Sequence, residues 1–507
     1  MTEYRLSDYI TALGPLVVAS SVPSDPVITQ VTYDSRCVKP GALFICKGLH
    51  FTPDYLRQAI EAGAVAYLSE REYPDQGDHV PWVTVSDIRM AIAEAGTLFY
   101  DREWDKLTIV GITGTKGKST TIMFLYAILT AWMRATGGPH PGVISSIWNN
   151  DGVVEATAVK TTPETLDLYR HLHNAVTSGM THLCMEVSSQ GLRYLRVRNV
   201  HFDVGCFLNV SEDHISPHEH PDYEDYLRAK LEIFAQSRVA VVNARTQEFP
   251  RVMEAASACE KVVLFELAEP GQTGSSRTGT IPDVVGYGVH GTDRGQEFSV
   301  DIDGAAQTFE IPMRGRFNVE NALAAISIAV CLGVPLEYAR EGLMQAHVPG
   351  RMEIFRLPRG TTVIVDYAHQ KLSVETLLAC VKQDYPTSPI TMMFGAGGDK
   401  GWNRRKELGQ LAGENADEIY LTEDDPGDGL VEEICLDVDS YVQATGHKPS
   451  HIVAERHEAI EQAIANAPDN GLVLLLGKGA ERWQLRGSTT VAVPSDVDTV
   501  NEILSRS

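Results

Sequence analysis

The sequence predicts an α/β protein of three domains built on mostly parallel strands covered by helices. Three observations carry this. The chain is 507 residues long, more than one core ordinarily organises, which suggests roughly three domains. Hydrophobic residues make up 43% and charged residues 22%, the balance of a globular protein rather than a disordered or fibrous one. Short apolar runs ending in Gly, Asn, Asp or Thr recur, each leading into an amphipathic segment. Among them are "LTIVGITGT", "THLCMEVSS", "VGCFLNVSEDH", "TTVIVDYAH", "ITMMFGAGGD", "EIYLTEDD" and "LVLLLGKG". Strands alternating with helices make parallel sheets, and open α/β sheets bind ligands at the carboxyl ends of their strands.

Residues 1–105 hold "VTYDSRCVKPGALFICKGLHFTPDYLRQAIEAGAVAYLSE", a small α/β pattern. A boundary near Asp105 precedes "KLTIVGITGTKGKST" and opens a central domain, 106–348. Within it, 289–312 alternates like antiparallel strands and predicts a β appendage. A second boundary near Pro349 opens the third domain, 349–507, where a new strand–helix series starts.

The formal net charge of −24 argues against sequence-independent binding to nucleic acid or anionic membrane, which needs a basic surface. It allows an anionic substrate in a locally positive cleft. No apolar run is long enough to span a bilayer, and "MTEYRLSDYI" lacks the features of a signal peptide, so a cytoplasmic protein is expected. The eight cysteines form no CxxC pair and several lie in apolar runs, which predicts buried free thiols rather than disulfides or a zinc site.

"GITGTKGKST" (111–120) follows an apolar run and precedes "TIMFLYAILTAW", which has helical spacing. A phosphate loop needs this context: glycines, free N–H groups at a helix start, a Lys and then a hydroxyl. Ile112 breaks the strict spacing, but Gly114, Thr115, Lys116, Gly117, Lys118, Ser119 and Thr120 complete the core. Lys118 would meet β- and γ-phosphates, and Ser119 an Mg²⁺ ion.

Glu186 ends the apolar run "HLCMEV", and His214 lies in "LNVSEDHISPHEH" after another. With a phosphate-loop hydroxyl they form a reasonable Mg²⁺ ligand set for γ-phosphoryl transfer. Pro217 prevents a helix from placing His214 and His218 on one face, which excludes a metalloprotease motif. His218 and His220 are expected in a polar, solvated loop.

The ordered motifs GTKGKST (114–120), TTPE (161–164), MEVSSQGL (185–192), LNVSEDH (208–214), YLRAKLEIF (226–234), GRFNVENALAA (315–325), GRMEIF (350–355), DYAH (366–369) and GKGAE (477–481) resemble the Mur ligases. They most resemble the members that add the third peptide residue to UDP-N-acetylmuramoyl-L-alanyl-D-glutamate. The resemblance covers nearly the whole chain, with "DSRCVKPGALFICKG" matching the N-terminal UDP-binding domain. It implies a central ATPase domain of phosphate-loop type and a C-terminal Rossmann-like domain. It also implies a cytoplasmic monomer serving peptidoglycan synthesis.

The implied chemistry is ATP-dependent. ATP phosphorylates the D-Glu carboxylate, an amine attacks the acyl phosphate, and phosphate leaves. A carboxylate is a poor electrophile, so phosphorylation supplies the leaving group, and catalysis is largely positioning and charge stabilisation. By resemblance, Lys118 and Ser119 serve phosphate and Mg²⁺, and Glu186 and His214 are metal ligands. Lys230 matches a carbamylated lysine able to hold a second Mg²⁺, where an ordinary reading is a surface helix lysine. Asn318 and Asn321 match the adenine side, while Arg351, Asp366 and His369 reach the nucleotide from the C-terminal domain. Thr161, Thr162, Ser188 and Arg196 match positions that hold the muramoyl dipeptide, and Ser35 matches a uridine-nucleotide contact. Tyr194 stands where a polar side chain is expected.

The resemblance also bears on the amino acid added. The branch adding meso-diaminopimelate shows "DNPR", whose Arg pairs with the distal carboxylate of its substrate. Here Asp424-Asp425-Pro426-Gly427 offers no such partner. A carboxylate near Asp424 meets repulsion and an ammonium attraction. L-lysine is the expected substrate, with L-ornithine, one methylene shorter, and diaminopimelate as alternatives. Lys400, Arg404 or Arg405 would hold the α-carboxylate of the amino acid. Gly477 and Glu481 match its amino-group side, and Ala480 stands where His is common. Glu423 and Asp428 read as a solvated turn. The competing readings are another ligase on the same scaffold, such as a folylpolyglutamate synthetase, and a non-catalytic paralogue.

Overall fold

In the computed structural model, residues 3–48, 51–73, 80–212, 215, 219–271, 281–398 and 402–506 are described. The chain forms two compact units. The first comprises 1–286, 300–306 and 323–342; the second comprises 287–299, 307–322 and 343–507. The expected α/β class holds in both, because the sheets are dominated by parallel pairs.

The first unit begins with a five-stranded sheet in the order Val17–Ser21, Trp82–Val85, Ala64–Ser69, Ala42–Ile45, Gln30–Thr32. Only the edge strand Val17–Ser21 runs antiparallel to its neighbour. The larger sheet has the parallel core Gly142–Ile144, His182–Glu186, Thr108–Thr113, Phe202–Phe207, Ser237–Asn243, Lys261–Leu267. Two short antiparallel strands, Trp148–Asn150 and Glu155–Thr157, extend one edge. Central strands are apolar on both faces because helices cover both. Thr108–Thr113 is buried from its second residue on, as all-parallel strands require. Strands Val284–Gly291, Gln296–Ile302 and Ala305–Ile311 follow in sequence, the run in which alternation predicted an appendage.

Strand order decides where a ligand can sit. Thr108–Thr113 pairs with His182–Glu186 on one side and with Phe202–Phe207 on the other. The sheet therefore reverses its direction of growth at this strand, and a crevice opens at the carboxyl ends of the three. Gly114, Val187 and Leu208 are the first residues beyond them.

The second unit repeats the device. Its six-stranded sheet runs Glu353–Arg356, Thr362–Asp366, Leu472–Leu476, Ile390–Ala396, Glu418–Glu423, His451–Ile452, parallel except at the first pair. Leu472–Leu476 and Ile390–Ala396 are buried throughout. Tyr367, Gly477 and Asp424 follow the ends of three of these strands, and a two-stranded hairpin, Trp483–Arg486 with Thr489–Ala492, lies beyond. No helix among the described residues is long and apolar enough to cross a membrane. All eight cysteines are free, and Cys46, Cys184, Cys206 and Cys435 are buried.

Candidate active site

In the first unit the phosphate loop takes the expected form. The strand Thr108–Thr113 gives way to a turn that ends at Gly117, with φ +87°, and the helix Lys118–Thr136 starts at once. Glycine permits that left-handed entry, which leaves the first N–H groups of the helix aimed into the crevice. The loop is tied to the next strand's end. Thr115 N donates to Asn209 O at 3.0 Å, and Lys116 N to Asn209 Oδ1 at 2.9 Å. The Asn209 amide returns a bond to Lys116 O at 3.1 Å. Thr120 is buried in the helix.

Two lysines converge on one atom of this loop. Lys118 Nζ donates to Gly114 O at 2.9 Å, and Lys230 Nζ donates to the same oxygen at 2.8 Å. Lys230 is 1% exposed, on the helix Tyr223–Leu231, with its Nζ 4.7 Å from the centre of the Tyr226 ring. The surface-lysine alternative is therefore wrong. Two ammonium groups beside one oxygen repel each other, and burial sharpens the repulsion.

The oxygen donors lie one strand over. Ser119 Oγ is 2.9 Å from Ser146 Oγ, and Ser146 donates to Glu186 Oε1 from its N at 2.8 Å and its Oγ at 3.1 Å. Glu186, 1% exposed, is thus fixed within one hydroxyl of the phosphate-loop serine. Carboxylate and hydroxyl oxygens are hard donors that suit Mg²⁺. His214 lies outside the described residues, and among those described no group of three or more His, Cys, Asp or Glu side chains could hold a metal.

The expected muramoyl-side residues form one linked patch. Thr162 Oγ1 donates to Glu186 O at 3.0 Å and accepts from Ser188 N at 2.9 Å. Arg196 donates to Thr162 O at 3.1 Å and pairs with Glu164 at 2.7 Å. Glu164 also pairs with Lys47 at 2.7 Å and Lys160 at 2.7 Å. Burial pushes its carboxyl up, but Lys47, Lys160 and Arg196 outweigh burial and hold it down at about 2. Thr161 is half-buried beside the patch. Tyr194, the departure from pattern, stacks under Arg89, whose guanidinium carbon is 3.9 Å from the ring centre. Ser35 lies on a short turn, its hydroxyl 3.3 Å from Gln58 Oε1.

One expectation fails outright. His220 is 0% exposed, not part of a solvated loop. Its Nδ1 is 2.7 Å from Asp225 Oδ2 and its Nε2 is 3.0 Å from Ser189 Oγ. Those two partners satisfy both ring nitrogens, which removes the penalty that a buried imidazole otherwise carries. Lys47 and Glu164, both within the quoted motifs but without an expected role, pair at 2.7 Å within the muramoyl-side patch.

In the second unit, Asp366 accepts from Met352 N at 2.7 Å and from Ala368 N at 2.7 Å. Arg351 lies over the Tyr367 ring at 4.0 Å, and His369 packs edge-on to the same ring with its Nδ1 2.8 Å from Tyr367 O. Asn318 and Asn321 are buried. Asn318 donates to Arg314 O at 2.7 Å, and Asn321 to Asn318 Oδ1 at 3.4 Å.

The acidic loop after Glu418–Glu423 is built, not merely wet. Glu423 is buried and holds Arg486 through two bonds of 3.0 and 2.7 Å, which corrects its reading as a solvated turn; Asp428 is exposed. Asp425 accepts from Lys478 Nζ at 3.0 Å and from Leu485 N at 3.0 Å. Lys478 also meets Glu481 at 2.8 Å. Arg456 is committed to Asp496, with two contacts of 2.7 Å. Asp424 lies among both signs of charge, with Arg456 and Lys478 on one side of the balance and Asp425 and Glu481 on the other. Burial, with Asp425 and Glu481 nearby, pushes its carboxyl up to about 6, despite Arg456 and Lys478. Gly477, φ +110°, makes this geometry possible, since a Cβ there would stand 2.6 Å from Asp424 Oδ2.

Of the three cations offered for the α-carboxylate, Arg405 is buried and engaged with Gly397 O at 3.0 Å, Gly398 O at 2.9 Å and Asp437 at 3.1 Å. Arg404 is half-buried one residue earlier, and Lys400 lies outside the described residues.

Comparison with known proteins agrees with this picture. Residues 112–329 match the profile of the Mur ligase middle domain, and residues 350–479 that of the Mur ligase glutamate ligase domain. A UDP-N-acetylmuramyl-tripeptide synthetase of Limosilactobacillus reuteri is 36% identical over 99% of this chain and 98% of its own. A UDP-N-acetylmuramoyl-L-alanyl-D-glutamate–L-lysine ligase of Enterococcus faecalis is 35% identical, covering 95% of this chain and 92% of its own. Among solved structures, a UDP-N-acetylmuramoyl-L-alanyl-D-glutamate–2,6-diaminopimelate ligase shares the fold with a TM-score of 0.65. It is 24% identical over 100% of this chain and 99% of that one.

Proposed function

The chain belongs to the Mur ligase family, and from that premise we propose that it joins L-lysine to the D-glutamyl carboxylate of UDP-N-acetylmuramoyl-L-alanyl-D-glutamate, consuming ATP. The observation that carries the ligase reading is the meeting of Lys118 and Lys230 on Gly114 O, 2.9 and 2.8 Å away, beside the Ser119–Ser146–Glu186 chain. This is a site made for a transferring phosphoryl group.

The residues divide the work. Lys118 and the N–H groups at the start of its helix hold the β- and γ-phosphates. Ser119 and Glu186, with His214, would hold Mg²⁺, which when bound would neutralise charge on the phosphates. Lys230 loses its positive charge by adding CO₂ at Nζ and releasing two protons, and the resulting carbamate supplies an anion beside the loop. Thr161, Thr162, Ser188 and Arg196 orient the muramoyl dipeptide so that its D-Glu carboxylate attacks the γ-phosphorus and ADP departs. Ser35 meets the uridine nucleotide. Asn318, Asn321, Arg351, Asp366 and His369 serve the nucleotide. The lysine amine, having given up a proton, attacks the acyl carbon, and inorganic phosphate leaves. Acyl phosphates hydrolyse readily, so the site must exclude water while this happens.

Selection of a basic amino acid rests on the Asp424 environment. Burial raises the Asp424 carboxyl to about 6, and once ionised above that pH it attracts an ammonium and disfavours the second carboxylate of diaminopimelate. The one arginine on the facing hairpin, Arg486, is neutralised by Glu423. Among the described residues, Arg404 is the one of the three offered cations left to meet the α-carboxylate, with Lys400 as the alternative. ATP is made in the cytoplasm, which is where the reaction belongs, and one chain carries every residue this reading uses, so a monomer suffices. Residues 1–105, 106–348 and 349–507 act as the muramoyl-nucleotide, ATP and amino-acid domains.

The test is phosphate release by purified protein with ATP and Mg²⁺. The reading requires release only when both the UDP-muramoyl dipeptide and a basic amino acid are present. Release without the dipeptide, or none at all, overturns it.

A further inference from the structure

We propose that His220 is a positioning residue for the muramoyl substrate, tying the hydroxyl loop at Ser188–Ser189 to the helix that carries Lys230. The proposal rests on the ligase reading above and adds a residue to it.

His220 is enclosed, and each of its contacts leads to a different part of the site. Its Nδ1 lies 2.7 Å from Asp225 Oδ2 on the helix Tyr223–Leu231. Its Nε2 lies 3.0 Å from Ser189 Oγ at the start of the helix Ser189–Arg193. Asp225 can only accept, so Nδ1 carries a proton. In the neutral ring Nε2 then accepts from the Ser189 hydroxyl. The ring also meets Tyr226 edge-on, 5.2 Å between centres. Tyr226 in turn has its hydroxyl 3.0 Å from Thr115 Oγ1 and its ring 4.7 Å from Lys230 Nζ. One imidazole therefore links the muramoyl patch, the phosphate loop and the Lys230 helix.

The order Ser189–His220–Asp225 matches that of a nucleophilic triad, but Ser189 is buried. An acyl carbon cannot approach its oxygen, so the chain acts by holding rather than by reacting. What it holds is specific. Ser189 follows Ser188, whose N donates to Thr162 Oγ1 at 2.9 Å and whose hydroxyl accepts from Gly191 N at 3.0 Å. Fixing Ser189 fixes the direction of both Ser188 groups and, through Thr162, the loop that meets the dipeptide. An apolar trio in the same space would pack without such direction, since buried polar contacts add orientation more than stability.

The experiment compares wild type with Ser189→Ala, His220→Asn and the double variant in ligation assays, alongside thermal melting. Ser189→Ala removes a single oxygen and keeps the fold even if the histidine variant is weakened. The expected result is a rise of about tenfold in KM for the UDP-muramoyl dipeptide in each single variant, the size of one lost buried hydrogen bond. KM for ATP should stay within about twofold, and the double variant should be no worse than His220→Asn alone, because the one contact that Ser189→Ala breaks is already lost in the histidine variant. Ser189→Thr, which keeps the hydroxyl, should restore most of the loss. An unchanged dipeptide KM with only a lowered melting temperature would overturn the inference, as would single effects that multiply in the double variant. A wild type that ligates nothing would instead sink the ligase reading, and this inference with it.

Discussion

Replacing Asp424 with Asn should stabilise the protein while weakening its hold on lysine. The Asp424 carboxyl moves from its ordinary value of 3.8 to about 6 in the fold because it is buried, with smaller contributions from Asp425 and Glu481. Arg456 and Lys478 pull the other way and are already reflected in that net value. A raised carboxyl contributes stability that is fully present below pH 3.8 and is lost as pH rises through 6. Above pH 6 the fold therefore carries an ionised group it disfavours by about 3 kcal/mol. Asn has no such charge. At pH 7.5 the Asn variant should be more stable by about 3 kcal/mol, falling to about 1.5 kcal/mol at pH 5. Urea unfolding at the two pH values reads the difference. Ligation assays should meanwhile show a higher KM for lysine, since the charge that destabilises the fold is the one that meets the ammonium. An Asn variant no more stable than wild type at pH 7.5 refutes the reasoning.

Three further outcomes follow from the same geometry. Lys230→Ala should abolish ligation, and bicarbonate or a short carboxylic acid should restore part of it; full activity without any addition would remove the carbamate from the account. Glu164→Gln should cost about 2–3 kcal/mol at pH 7, because Glu164 is held near 2 by Lys47, Lys160 and Arg196 against the effect of burial. A depressed carboxyl stabilises above its unfolded value of 4.5, so the deficit should shrink in denaturation curves as pH falls from 4.5 towards 2. Gly477→Ala should raise the KM for lysine several-fold, since its Cβ would stand 2.6 Å from Asp424 Oδ2 at a φ of +110°. An unchanged KM would show that Asp424 can move aside freely.

The α/β class and the phosphate loop were legible because both depend on local pattern. Apolar runs bounded by Gly and Asp read as parallel strands, and "GTKGKST" carries its strand, turn and helix within one window. What the sequence concealed depends on contacts far along the chain. His220 sits between His218 and Pro221 in a polar run, and nothing local reveals that Ser189, 31 residues earlier, closes over its ring. The one usable hint is Asp225, five residues on, beside a helix start that Asp222 caps. Glu423 looked wet because Arg486, its partner 63 residues later, leaves no mark near "LTEDDPGDGL". Lys230 shows the same limit in reverse. Only the resemblance singled it out, and the fold supplies the reason: its helix turns that side chain inward onto Gly114.

The central claim, an ATP-driven ligase choosing a basic amino acid, is tested most directly by one competition. Protein, ATP, Mg²⁺ and the UDP-muramoyl dipeptide are incubated with equal concentrations of L-lysine, L-ornithine and meso-diaminopimelate, and the products are weighed by mass spectrometry. The account predicts the dipeptide plus lysine as the main product, with any ornithine adduct second. A product carrying chiefly diaminopimelate would contradict it.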